Sequence, residues 1–172
     1  VTGFANKTLG FQEDSLAYHN LRHLFSAILG WVAILCAALL ARLIAGWRAG
    51  ILTLVIMLLS PRFVGDSLMN PKDIPFAAGY MLAIYNMAAV LARMPNPRRW
   101  NMAGLVAGLA IALAVRAGGL LNFAYLFFFA GLYLVLKNGW GSLFNGKTVG
   151  RYAVVTIGTA AAGYVLALLF WP

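Results

Sequence analysis

Six apolar runs bounded by charge or proline divide the chain: Leu24 to Ala41, Leu43 to Ser60, Ile74 to Ala92, Trp100 to Val115, Ala117 to Leu136, and Tyr152 to Trp171. Crossing the hydrocarbon core of a bilayer takes about 20 residues of helix, within a range of roughly 17 to 25. All but the fourth match that length. Backbone N–H and C=O groups in lipid must be satisfied within the segment, so continuous apolar runs read as helices; barrel strands would show period-two alternation instead. The predicted fold is all-α, a polytopic transmembrane helical bundle of about six transmembrane helices. The second run is interrupted near its start by Arg48, whose guanidinium can snorkel to the interface. The fourth run is short and closes at Arg116.

Composition excludes the soluble alternatives. Of 172 residues, 63% are hydrophobic and 10% charged, and mean hydropathy is +0.85, whereas soluble domains carry about 25% charged residues. A chain of this size has no interior large enough for that much apolar surface. The net charge of +9, from 13 Lys and Arg against 4 Asp and Glu, does not indicate nucleic acid, because the bases lie singly or in pairs between apolar runs. They read as membrane flanks. Cys36 is the single cysteine and lies inside an apolar run, so no disulfide framework exists. The chain opens at Val1 without a charged-then-apolar leader, and further sequence is expected ahead of it.

Two regions follow from this reading. Residues 1–23 form an outer juxtamembrane segment, in which Phe4, Leu9, Phe11 and Leu16 alternate with polar residues and suit the membrane surface. Residues 24–172 form the transmembrane helical domain, without an internal repeat. Gly104 with Gly108, and Gly158 with Ala162, are small-xxx-small pairs expected to let neighbouring helices approach closely.

Loop charge sets the orientation. With the first run entering from outside, the inner segments hold Arg42, Arg48, Arg93, Arg98, Arg99, Lys137, Lys147 and Arg151 and no acid. The outer segments hold Lys7, Arg22, Arg62, Lys72 and Arg116 together with all four acids, Glu13, Asp14, Asp66 and Asp73. This is a positive-inside bias, and it leaves mixed polar chemistry on the outer side.

That chemistry concentrates in the outer stretch from Ser60 to Pro75, which reads as a loop restricted by Pro61, Pro71 and Pro75. Asp73 stands at the mouth of the third run, with Pro75 just inside it. Asn70 and Asp73 are suited to cap that helix; a compatible reading has Asp73 face a polar cavity as a substrate or metal contact. Arg116, followed by Gly118 and Gly119, is either a snorkelling flank or a phosphate ligand whose planar fork donates two parallel bonds. His19 and His23 have helical metal-ligand spacing but lack a third ligand of defined spacing. Glu13 and Asp14 are adjacent, point apart on a helix, and read as a solvated face. No phosphate-loop, nucleophile-elbow or zinc-protease motif occurs.

The order of Asn20-Leu-Arg-His-Leu-Phe-Ser-Ala-Ile-Leu-Gly30, Ser60-Pro-Arg62, Asn70-Pro-Lys-Asp-Ile-Pro75, Gly104-Leu-Val-Ala-Gly-Leu-Ala110 and Arg116-Ala-Gly-Gly119 resembles the GT-C membrane glycosyltransferases, most closely their family 39, protein-mannosyltransferase-like branch. The resemblance covers nearly the whole chain. It implies an enzyme of the bacterial inner membrane that moves a sugar from a polyprenyl-phosphate donor to an acceptor on the non-cytoplasmic face. By position it implies that Asp73 lies in the active-site cavity as a catalytic carboxylate and Arg116 near the donor phosphate, both facing one outer pocket. Arg62, Asn70 and Lys72 join Arg116 as substrate-binding candidates. No cofactor is implied, and the residues neither require nor exclude a divalent metal. The family's principal acid, in a first outer loop behind a first helix, has no counterpart here, since Glu13 and Asp14 do not match its motif. The chain therefore reads as an internal segment, the second through seventh helices, inactive by itself. The alternative is a transporter or non-catalytic multi-pass membrane protein. Transporters carry inverted repeats and polar groups at mid-membrane, and here the run interiors hold few such groups, Asn86 and Asn122 among them.

Overall fold

A computed structural model describes residues 16–141 and 145–169 of the chain. Glu13, Asp14 and the rest of residues 1–15 of the expected surface segment lie outside the described residues. The elements are α1 (Leu16–Leu58), α2 (Pro61–Met69), α3 (Asp73–Ala92), α4 (Arg99–Val115), a 3-10 turn (Ala117–Gly119), α5 (Leu120–Asn138) and α6 (Gly146–Leu169). No strand occurs among the described residues, and the fold is the all-α membrane bundle that the apolar runs predict. His19–Leu58, Asp73–Ala92, Ala117–Asn138 and Gly146–Leu169 are long and apolar enough to cross a bilayer, and Arg99–Val115 is a shorter apolar helix. The protein is an integral membrane protein. It divides into two compact units, Val1–Ala78 and Gly79–Pro172.

In the first unit, α1 is two helices joined at Gly46, whose φ of 84° and ψ of −175° are non-helical. That backbone conformation is essentially reserved for glycine. The arms fold back on each other: a Cβ added to Gly50 would stand 3.0 Å from the Ala38 carbonyl oxygen and 3.0 Å from the Arg42 Cβ. Residues 38 and 50 would be about 18 Å apart in a straight helix, so the chain reverses here. The Arg42 guanidinium covers the Trp47 ring at 3.6 Å across the reversal, a cation-π contact. The second span thus starts after Gly46, not at Leu43.

The returning arm does not end at Ser60 either. Ser60 leaves helical geometry (φ −79°, ψ 105°), accepts a bond from the Phe63 N–H at 3.4 Å, and starts α2 with Pro61 in its first turn. Hydroxyl caps and first-turn prolines both favour a helix start. α2 continues along the first arm, with Ser67 against Gly30 and Leu68 bonded to His23. Residues 47–58 and α2 together supply about 30 Å of helical rise, near the thickness of a hydrocarbon core. The expected outer loop from Ser60 to Pro75 is therefore mostly helix, and the non-helical connection shrinks to Asn70–Lys72.

In the second unit, the later part of α3 runs antiparallel to α4. A Cβ on Gly79 would meet Ile111 and Ala112 at 2.8 Å, one on Gly108 would run into the Ala83 backbone, and one on Gly104 would meet the Asn86 amide at 2.6 Å. Lipid offers helices no hydrophobic drive to associate, so backbone-close van der Waals contact holds them. Around this seam Ala83, Val90, Leu105, Leu109 and Leu126 are fully buried. The pair Gly104 and Gly108 packs as expected, but Gly158 with Ala162 does not. Nothing among the described residues lies within 4 Å of a Gly158 Cβ, and the close approach of α6 is made by Gly163, against Leu109 at 2.9 Å. Lys137 donates to the Met94 carbonyl at 2.9 Å, tying the end of α5 to the α3–α4 connection.

Candidate functional site

The corner between α2 and α3 is built around Asn70. Its backbone N–H closes α2 by donating to the Asp66 carbonyl at 2.8 Å. Its side-chain oxygen accepts from the backbone N–H groups of Lys72 at 3.3 Å and Asp73 at 3.0 Å, and its side-chain NH₂ donates to Asp73 Oδ2 at 2.7 Å. One amide thus satisfies orphan donors at the start of α3 and fixes the carboxylate that opens that helix, a reciprocal arrangement of the capping-box kind. The Asp73 charge lies in the first turn of α3, where the helix dipole favours an anion. Asp73 and Lys72 are exposed while Asn70 is half-buried. The capping role that the spacing offered Asn70 and Asp73 is present, and the bond leaves the carboxylate held at an accessible corner.

Arg62 occupies the first turn of α2 and is exposed. It stands at the opposite end of that nine-residue helix from Asn70. The corner brings Asn70, Lys72 and Asp73 together and does not include Arg62.

Arg116 belongs to the second unit. It terminates α4 in extended geometry (φ −151°, ψ 144°), its N–H donating to Ala112 at 3.1 Å and its carbonyl accepting from Gly119 at 2.9 Å. The following 3-10 turn presses on the end of α4, because a Cβ at Gly119 would run into the Leu113 backbone. The tight corner leaves the Arg116 side chain exposed.

A further feature of the first unit escaped the reading of motifs. His19, Arg22, His23 and Ser26 of α1, with Leu68 and Met69 of α2 and Pro71, bound a cavity of about 180 Å³. His23 Nδ1 lies 2.6 Å from the Leu68 carbonyl oxygen, which makes Nδ1 the protonated nitrogen. The signal was in the chain: positions 19, 22, 23 and 26 follow the i, i+3, i+4, i+7 spacing of one helical face. His19 and His23 do share a cavity, but among the described residues no three His, Cys, Asp or Glu side chains group as metal ligands. Among the described residues of the second unit, the buried Asn122 amide has no hydrogen-bond partner, while the Asn86 NH₂ donates to the Leu82 carbonyl at 2.8 Å.

Residues 20–170 match a family model described as dolichyl-phosphate-mannose-protein mannosyltransferase. No curated protein and no solved structure matches the chain.

Proposed function

From the membership of this chain in the dolichyl-phosphate-mannose-protein mannosyltransferase family, we propose that it serves transfer of a sugar from a polyprenyl-phosphate donor to an acceptor at the non-cytoplasmic membrane face. The chain is of the GT-C membrane glycosyltransferase kind, and its apolar helices seat it in the bilayer. A lipid-linked donor is what such a family takes, and the proposed setting is a bacterial inner membrane.

The observation that carries the assignment of roles is the bond from Asn70 to Asp73 Oδ2. A carboxylate meant to handle a proton must be held in one orientation and within reach, and the Asn70 bond at an exposed corner supports that reading. In the proposed reaction Asp73 orients the acceptor hydroxyl and takes its proton. The acceptor oxygen forms a bond to the sugar C1, and the bond from C1 to the phosphate oxygen breaks. The leaving polyprenyl phosphate gains negative charge as that bond breaks, and Arg116 stabilises it. Lys72 and Arg62 add positive charge for the anionic donor, and Asn70 positions Asp73.

The experiment is transfer of radiolabelled sugar from a polyprenyl-phosphate donor by the intact protein in proteoliposomes. Asp73→Asn keeps the side-chain shape and removes the charge, and is expected to abolish most turnover. Near wild-type transfer by that variant would remove Asp73 from the reaction.

A further inference from the structure

We infer that the corner joining α4 to α5 has two forms, and that the Asn122 amide, left without a partner in the form described above, drives it toward the other. Both forms belong to the second unit alone and exist whether or not Arg116 meets a donor.

Asn122 is 0% exposed, and neither its side-chain oxygen nor its NH₂ has a hydrogen-bond partner. A buried amide in that condition is costly, and in a span the surrounding lipid offers it nothing. Such a group is rare enough in native structures to need a reason. Two other asparagines of this unit's helices show the ordinary solution. Asn86 donates to the Leu82 carbonyl at 2.8 Å and Asn138 to the Leu134 carbonyl at 3.3 Å, each four residues back. The same step from Asn122 leads to Gly118, which lies in the 3-10 turn, with Gly119 as the cap residue of α5. A cap carbonyl accepts the first bond of its helix, so the carbonyl before it stands outside the α-helical ladder. The tight turn draws it toward Leu120 instead, whose N–H donates to the Ala117 and Gly118 carbonyls. Gly119 meanwhile is pressed on the end of α4, where a Cβ would run into the Leu113 backbone. Gly119 and Asn122 are three residues apart and share that face. Packing against α4 thus holds the turn tight, and the amide behind it is left unsatisfied.

One change relieves the amide. When the turn rewinds from 3-10 to α-helix, the Arg116 carbonyl passes from the Gly119 N–H, now at 2.9 Å, to that of Leu120, and the Gly118 carbonyl joins the ladder one turn before Asn122. Asn122 then donates to it as Asn86 does to Leu82. A 3-10 stretch between helical segments often marks a hinge. Rewinding lifts Gly119 off α4 and swings the extended Arg116 backbone (φ −151°, ψ 144°) with it. Arg116 engages a further group of the chain in the tight form, and the movement is one of its backbone that does not require a free guanidinium. At 0% exposed, Asn122 is out of reach of any ligand until the corner opens, which assigns it a movement and not a bound group.

The test uses the intact protein in nanodiscs, without donor or acceptor, with thermal unfolding and amide hydrogen exchange as readouts. Asn122→Leu keeps the branching of the side chain and removes the amide; Asn122→Ala removes it and leaves room. Without the unsatisfied group the tight form is favoured, so at least one of the two should unfold about 2–4 °C above wild type. The same variant should exchange the amides of residues 119–122 about tenfold more slowly, because interconversion breaks the bonds of the tight turn. Gly119→Ala forces the turn off α4 and should speed that exchange about tenfold, while residues 126–136 of α5 exchange as in wild type. A lower unfolding temperature in both Asn122 variants would mean that the amide has a partner in the resting protein, a buried water included, and would overturn the proposal. So would exchange at residues 119–122 that neither the Asn122 variants nor Gly119→Ala alter.

Discussion

Gly30 on the first arm of α1 and Ser67 on α2 are in backbone-close contact: a Cβ added to the glycine would stand 2.6 Å from the serine Cβ. This pair locks α2 alongside the first arm as a continuation of the returning one. Gly30→Ala should therefore lower stability by about 1–3 kcal/mol, the usual cost of overpacking. The double variant Gly30→Ala, Ser67→Gly should regain much of the loss, because the second change removes the atom struck by the first. Thermal unfolding in detergent measures both, and equal destabilisation in single and double variants would show that the two helices do not touch there.

Two helical glycines separate packing from propensity. Gly108→Ala drives a methyl into the Ala83 backbone, which cannot yield as a side chain tip would. It is expected to cost about 1–3 kcal/mol. Gly158→Ala meets nothing within 4 Å and should be neutral or gain up to about 1 kcal/mol from helix propensity. Parallel unfolding curves of the two variants would settle the α3–α4 seam.

Gly46→Ala places a side chain at φ 84°, ψ −175°, where residues other than glycine incur about 1–3 kcal/mol of strain. A lower unfolding temperature without a change in helical content by circular dichroism is the expected result.

For transfer, Asp73→Asn should reduce turnover by about 100-fold or more, in line with loss of a general base. Asn70→Ala keeps the carboxylate but removes the amide that holds Oδ2, so a smaller fall is expected, with Asn70→Asp failing to rescue it because two carboxylates would face each other. Initial rates at saturating donor and acceptor distinguish the two effects.

Arg116→Ala should raise the donor KM about tenfold if its guanidinium meets the donor phosphate. Arg116→Lys keeps the charge and loses the planar fork, so an intermediate value is expected. An unchanged KM in both would leave Arg116 as a membrane flank.

Much of this architecture was legible because burial in lipid imposes one rule on every residue of a span. Apolar runs bounded by Arg42, Arg93, Arg116 and Lys137 delimit the helices to within a few residues. The stretch after Ser60 was misread for a physical reason. Pro61 looked like a helix breaker, yet in the first turn a proline loses no hydrogen bond, and Ser60 supplied the cap that restarted the helix. Gly46 was hidden in turn, since a reversal needing one glycine leaves no polar loop to find. At the site, the spacing of Asn70 and Asp73 forecast a cap on α3 but not the bond between their two side chains. The histidine-lined cavity was not forecast, because Leu68 and Met69 reach its wall from α2, which lay within the expected loop.

The reversal at Gly46 has a consequence for how the chain enters its membrane. With a single non-helical residue at the tip, there is no tether by which one arm could wait outside while the other threads inward. The two arms should insert as one closed pair. A protease-site or epitope tag placed at the tip should then be tolerated far worse than one at Asn96, in the connection after α3.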